Sequence, residues 1–236
     1  MNEKFIRTDM LFGEGSSDKL KNKKVAVFGC GGVGGYAVEA LVRSGVGTLE
    51  VVDNDRVSVS NINRQIIATE KTVGRLKTEV IAERAKEING DVNIIAKNEF
   101  FLPETADNFD FKSYDYVIDA IDTVTGKIAL AEICYKNDVK IISSMGAGNK
   151  LHPEMFKIAD IYETSVCRLA KVMRHELKAR GVKKLKVVYS EEPPITPRFI
   201  PESEKGSKRQ PPASCAFVPG VVGLIIAGEV IRDLLS

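Results

Sequence analysis

Apolar positions follow two periods as far as Met145: short Val- and Ile-rich runs that suit strands, and three-to-four-residue spacings that suit helices. Residues 24–28 form such a run, ending at Gly29, after which Val33, Ala37, Val38 and Leu41 recur at helical spacing. Residues 48–52 read as a second strand ending in Asp53, which completes a βαβ unit with a parallel pair. Leu76, Val80, Ile81, Ala85 and Ile88 suit an amphipathic helix, and a strand is predicted over 92–96. Strand, helix and strand follow over 114–120, 128–135 and 139–143. This alternation predicts an α/β fold with a Rossmann-like, doubly wound, mainly parallel sheet.

Beyond Met145 the texture changes. Strands are predicted over 156–162 and 185–189 around a helix over 167–180, additional C-terminal elements that need not continue the parallel sheet. The stretch 191–213 gathers six of the nine prolines among several charges and is predicted to be a mobile surface loop; a helix over 221–235 closes the chain.

Composition narrows the class. A chain of 236 residues suits one hydrophobic core, and 44% hydrophobic with 28% charged residues is ordinary for a globular protein. The net charge of +2 means that any nucleic-acid contact must come from a local basic surface. Cys30, Cys134, Cys167 and Cys215 are far apart and form no close pair for zinc or redox chemistry, which suits a reduced, cytoplasmic protein. The N-terminus, with Glu3, Lys4, Arg7 and Asp9, has no apolar h-region, so export is not expected. The apolar run 215–228 contains Pro219 and three glycines and reads as a buried helix, with membrane association the lesser alternative; no transmembrane segment is expected.

The chemistry concentrates in three places. Gly29, Gly31, Gly32 and Gly34 form a glycine fingerprint between a predicted strand and helix, and Asp53 stands at the next strand end, where a ribose hydroxyl would be met. That combination predicts nucleotide binding without choosing between NAD and ATP. Next come Ser60-Asn61-Ile62-Asn63-Arg64-Gln65 and Thr72-Val73-Gly74-Arg75-Leu76-Lys77, which put amides and cations after the adenosine-binding strand. Displacement at an α-phosphate requires such groups, because cations must offset charge building on phosphoryl oxygens. The third place is the strand end Asp119-Ala120-Ile121-Asp122.

Together these segments resemble the E1-like adenylating enzymes of the ThiF family. The resemblance implies ATP and Mg2+ as cofactors, with Gly32 and Asp53 on the adenosine side and Asn61, Arg64 and Lys77 on the phosphates. It also implies Asp122 as the magnesium ligand, and a homodimer in which Arg7 reaches the ATP of the other subunit. Asp119 reads instead as a strand-end carboxylate capping the following helix. The two CxxC pairs common among sulfur-carrier-activating members are missing, and Cys215 and Cys167 read as small buried hydrophobes, so no obligatory thioester is expected.

A closer likeness runs through Ser143-Ser144-Met145-Gly146-Ala147-Gly148-Asn149-Lys150, the basic helix from Cys167 to Lys178, and Val187-Val188-Tyr189-Ser190. These stretches resemble the branch of the family that dehydrates threonylcarbamoyladenosine in tRNA. The resemblance implies ATP-dependent cyclisation of that modification beside the anticodon: its carboxylate is adenylated, then attacked internally with loss of AMP. It further implies a single adenylation domain over 1–236, with a nucleotide-binding part at 1–150 and a substrate, tRNA and dimerisation part at 151–236. A sulfur-transfer protein partner follows from the same analogy.

Charge placement points the same way independently. Arg168, Lys171, Arg174, Lys178, Arg180, Lys183, Lys184 and Lys186 stand against Glu176 alone, a basic surface that predicts contact with the tRNA backbone. His175 reads as a phosphate contact or a surface residue. Other readings are activation of the C-terminal Gly-Gly of a ubiquitin-like sulfur carrier, an NAD-dependent oxidoreductase, and a non-catalytic tRNA-binding scaffold. The last two leave Arg64, Lys77 and Asp122 without a task.

Overall fold

A computed structural model describes residues 2–202 and 212–236. Its frame is one seven-stranded sheet in the order β3-β2-β1-β4-β5-β7-β6. In chain order the strands are β1 (Lys24–Phe28), β2 (Thr48–Val52), β3 (Asn93–Lys97), β4 (Tyr116–Asp119), β5 (Ile141–Ser144), β6 (Phe156–Asp160) and β7 (Lys186–Ser190). All neighbours are parallel except β6, which pairs antiparallel with β7 at the edge. β7 thus extends the parallel sheet and only β6 departs from it.

The helices are α1 (Ile6–Phe12), α2 (Ser16–Lys21), α3 (Gly34–Arg43), α4 (Lys77–Ile88), α5 (Val124–Lys136), α6 (Arg168–Ala179) and α7 (Phe217–Leu235). Val38, Leu41 and Val42 of α3 and Val222, Ile226 and Val230 of α7 share one core with Val25, Val27, Leu49 and Val51 of the sheet. Beneath the other face, α5 and α6 contribute Ile128, Ala131, Met173 and Leu177 to a second core with Val187 and Tyr189. An aromatic cluster of Phe28, Phe101, Phe109 and Phe111 fills the space beside β1, with Phe28 and Phe101 centroids 4.9 Å apart.

α7 starts earlier than the predicted 221 because Pro219 falls in its first turn, where a missing N–H costs no intrahelical bond. It packs tightly on α3: a Cβ on Gly223 would fall 2.3 Å from the Val33 carbonyl oxygen. Its apolar run is therefore core. Among the described residues no helix is long and apolar enough to cross a membrane. At the N-terminus, α1 and α2 are elements the apolar pattern did not predict; buried Asp9 joins them by accepting from Ser17 N (2.7 Å) and Ser17 Oγ (2.8 Å). The loop predicted over 191–213 lies outside the described residues at 203–211, and its remainder has no α-helix or strand.

The order places the switch point at β1. The chain runs outward from β1 through β2 to β3, then returns to β4 on the other side of β1. A crevice therefore opens beyond the C-terminal ends of β1 and β4, the place where open α/β sheets bind ligands.

Candidate active site

Backbone sterics dictate the glycines. Gly29 leaves β1 at φ +93°, and a Cβ there would lie 2.7 Å from the Ala120 carbonyl oxygen of the neighbouring strand end. A Cβ on Gly34 would lie 1.8 Å from the Gly29 oxygen, so the turn can tuck under α3 only without it. The backbone N–H groups of Gly31, Gly32 and Val33 meet no acceptor among the described residues, and the positive end of α3 stands behind them. Such a turn is built to receive an anion.

Asp53 closes the other wall. Its Oδ2 accepts from Cys30 N at 2.7 Å and its Oδ1 from Asp55 N at 2.8 Å. Burial raises the pKa of its carboxyl group, against the opposing pull of the Lys77 ammonium 3.9 Å away. Lys77 opens α4 with its side chain 7% exposed and its Nζ 2.6 Å from Asp55 Oδ2. This cation is desolvated and held at the cavity wall.

Asn61 is buried and accepts from Ser58 N at 3.1 Å, fixing the turn that follows. Arg64 Nη1 donates to Ser60 O (2.8 Å) and Asn63 Oδ1 (2.9 Å), which holds the guanidinium against its own loop.

Opposite these groups, the loop after β4 is anchored from below. Asp119 and Lys127 are both fully buried, with Nζ 2.9 Å from Oδ1. Lys127 also donates to Ile121 O (3.1 Å), and Ser143 Oγ donates to Asp119 Oδ2 (2.5 Å). Asp119 therefore serves the loop as an anchor through Lys127 of α5. Three residues on, the exposed carboxylate of Asp122 lines the cavity and makes no hydrogen bond or ion pair among the described residues.

One cavity of about 520 Å³ gathers these groups: Gly31, Asp53, Asn61, Arg64, Lys77 and Asp122 all line it. Phe100, Phe101 and Ile121 give it an apolar side, and Pro212, Ser214 and Pro219 close it from the C-terminal region. A larger cavity, about 750 Å³, lies at the opposite end of the sheet. Its central charges pair with one another, Lys186 bonding to Glu229 (2.8 Å) and Asp233 (2.6 Å) and Tyr116 to Asp233 (2.7 Å). The smaller cavity carries the chemistry. Among the described residues no cluster of three or more His, Cys, Asp or Glu side chains forms a metal cage. A cation at Asp122 would take one carboxylate and draw its other ligands from phosphate and water, the habit of magnesium.

Two groups of predicted residues lie elsewhere. Arg7 sits exposed on α1 and does not line the cavity of its own chain. On α6, Arg168, Lys171 and Lys178 are exposed, whereas Arg174 is partly buried and donates to Thr164 O at 2.9 Å. Of the other cations counted on that surface, Arg180 pairs with Glu176 (2.6 Å) and Lys186 with the C-terminal helix. All four cysteines are free, and three are buried. Burial, aided by the Asp53 charge, pushes the Cys30 thiol well up, away from thiolate chemistry.

Sequence reasoning missed Lys127 and the pairing of Asp55 with Lys77. Eight residues separate Asp119 from Lys127, a strand end and the first turns of the next helix, and that spacing was the available signal.

The ThiF family model matches residues 6–236. A tRNA threonylcarbamoyladenosine dehydratase of Bacillus subtilis (strain 168) is 44% identical over 244 residues, covering 100% of this chain and 96% of that protein. The protein of the same name from Escherichia coli (strain K12) is 31% identical over 252 residues, covering 99% of this chain and 94% of the relative. Among solved structures, the E. coli tRNA threonylcarbamoyladenosine dehydratase in complex with ATP matches with a TM-score of 0.89 at 30% identity, over 99% of this chain and 94% of that one.

Proposed function

Because the chain belongs to the ThiF family, we propose that it uses ATP to cyclise threonylcarbamoyladenosine in tRNA, by adenylating the threonyl carboxylate and expelling AMP. The observation that carries this reading is the meeting of an open glycine turn, Asp53 at the end of β2, two cations and an Asp122 carboxylate unpartnered among the described residues in one crevice. Similarity along essentially the whole chain to dehydratases of that name supports the choice of substrate.

The geometry supports the following roles. Free N–H groups at Gly31, Gly32 and Val33 hold phosphate oxygens, Asp53 accepts ribose hydroxyls, and the Phe100, Phe101 and Ile121 side receives the base. Asn61, Arg64 and Lys77 hold the phosphates while a carboxylate oxygen attacks the α-phosphorus and pyrophosphate departs. Lys77 and Arg64 meet charge that grows during this displacement, so their effect falls on the transition state. An atom of the carbamoyl group then attacks the acyl carbon, closing a five-membered ring, and AMP leaves with one carboxylate oxygen. The nucleoside thereby loses the elements of water. Magnesium held by Asp122 with phosphate oxygens would neutralise charge on the leaving pyrophosphate.

The same reading assigns Arg168, Lys171, Arg174 and Lys178 to the tRNA backbone, with Arg174 acting from its bond to Thr164. The segment 151–236 supplies tRNA contacts and a dimer surface. Arg7 has no place in the cavity of its own chain, and its helix exposes Met10 and Leu11 at 78% and 79%, which favours a second copy whose site Arg7 completes. A reaction on tRNA fits the cytoplasm, and a sulfur-transfer partner remains part of the family expectation.

Mass spectrometry of nucleosides from tRNA treated with the protein and MgATP tests the proposal. Loss of one water from threonylcarbamoyladenosine, with AMP formed in equal amount, is the expected result; an unchanged nucleoside overturns it.

A further inference from the structure

Asn149 follows β5 in a left-handed backbone conformation, φ +58°, which asparagine tolerates better than most residues with a Cβ. From there it ties two distant parts of the chain. Its N–H donates to Ala213 O at 2.8 Å, its Oδ1 accepts from Ala213 N at 2.8 Å, and its carbonyl accepts from Ile195 N at 2.8 Å. The next residue is held as firmly: Lys150 is buried with Nζ 2.5 Å from Glu192 O, and the Glu192 carboxylate accepts from Leu151 N (2.9 Å) and His152 N (3.1 Å). On the other side Asn63, whose Oδ1 accepts from Arg64 Nη1, donates through Nδ2 to Ser214 O at 3.1 Å. Residues 212–214 have no helix or strand of their own, yet they are pinned to the loop after β5. The contact is close: a Cβ on Gly148 would fall 2.5 Å from Pro212 Cβ.

This contact forms one end of the nucleotide cavity. In the proposed reaction the ribose and phosphates lie along Asp53 and the glycine turn, at the ends of β2 and β1, and the next strand ends along the sheet are those of β4 and β5. At the β5 end the lining is Ala147, Gly148, Pro212, Ser214 and Pro219, with no ionisable side chain among them. Such a surface moves no proton; what it can do is keep water out. An acyl-adenylate needs that, because water adding to the acyl carbon expels AMP and restores the carboxylate, so ATP is consumed and no ring forms. We propose that Asn149 is a positioning residue that holds residues 212–214 over the acyl carbon, so that the internal carbamoyl nucleophile reacts there before water does. This rests on the proposed reaction and adds how its intermediate is protected.

Asn149→Gly keeps the left-handed backbone and both main-chain bonds and deletes only the acceptor for Ala213 N. Gly148→Ala acts on the same contact from the other side, its Cβ displacing Pro212. The readout is the partition of one turnover, AMP formed against nucleoside cyclised, with MgATP and modified tRNA in water enriched in heavy oxygen. Wild type is expected to give close to one AMP per cyclised nucleoside. Losing one neutral hydrogen bond gives water about fivefold more access, so the AMP formed without cyclisation should rise about fivefold in both variants. That surplus should be matched by uncyclised nucleoside carrying one solvent oxygen in its carboxylate. Asn149→Asp keeps an acceptor and tolerates the same backbone, so it should return the partition towards that of wild type. A wild-type partition in both disrupted variants, whatever their rate or melting temperature, would make Asn149 a structural residue and overturn the proposal. Surplus AMP that carries the solvent oxygen itself would place water at phosphorus and overturn it too. Failure of the wild-type protein to form the dehydrated nucleoside would strike the proposed reaction itself, and is seen before any variant is compared.

Discussion

Replacing Lys77 with methionine removes a cation while keeping the apolar stem that packs at the start of α4. The Lys77 side chain is 7% exposed, with its Nζ 2.6 Å from Asp55 Oδ2 and 3.9 Å from Asp53 Oδ1. Two unit charges about 4 Å apart interact by about 4 kcal/mol at the effective dielectric of a protein surface, and by about 1 kcal/mol in water. Lys77 works nearer the first limit. Only part of the phosphoryl charge develops on the way to the transition state, so about 2–4 kcal/mol is the share lost from the barrier, or about 30- to 10³-fold in rate. The ammonium also meets ground-state phosphate, so ATP affinity falls as well, by about tenfold. Single-turnover formation of AMP at saturating MgATP and modified tRNA separates the two effects. A rate within about threefold of wild type would refute the transition-state role and leave Lys77 as a structural cation that holds Asp55.

Lys127→Met leaves Asp119 charged and fully buried, so unfolding in urea should show a loss of about 3–5 kcal/mol; a loss below about 1 kcal/mol would contradict the buried pair. Asp53 has its pKa raised by burial, so it protonates at higher pH than an ordinary aspartate; ATP affinity should decline on acidification through that range, and Asp53→Asn should abolish the dependence. For the ligand-free fold the sign is opposite, since a raised carboxyl pKa contributes stability below the unfolded value and loses it as pH rises through the folded value. Lys171→Ala with Lys178→Ala should weaken tRNA binding and flatten its dependence on salt while leaving ATP affinity alone, as filter binding across salt concentrations can check.

Much of this site was legible because its parts are local. The glycine turn, Asp53 and the run from Ser60 to Lys77 each follow a strand end, and strand-end position follows from Val-rich runs whose period needs no tertiary knowledge. The N-terminal helices were not legible, since α1 and α2 are short and their junction depends on the buried bond from Ser17 to Asp9. The start of α7 was hidden by Pro219, which punctuates a sequence but sits harmlessly in a first turn. Counting cations overstated the free basic surface, because the partners of Lys186 lie 43 and 47 residues away in Glu229 and Asp233. The anchor formed by Asp119, Lys127 and Ser143 has the same character: three polar residues from β4, α5 and β5 meet only once the sheet has assembled.

The central step of the proposed reaction is activation of the modified nucleoside's carboxylate as an acyl-adenylate in the crevice beyond β1 and β4. Labelling that carboxylate with heavy oxygen and following the label through one turnover tests it most directly. Attack on the α-phosphorus followed by ring closure transfers one labelled oxygen to the phosphate of AMP and leaves the other in the cyclised nucleoside. Label recovered in inorganic phosphate with ADP as the nucleotide product, or unlabelled AMP beside cyclised nucleoside, would contradict it.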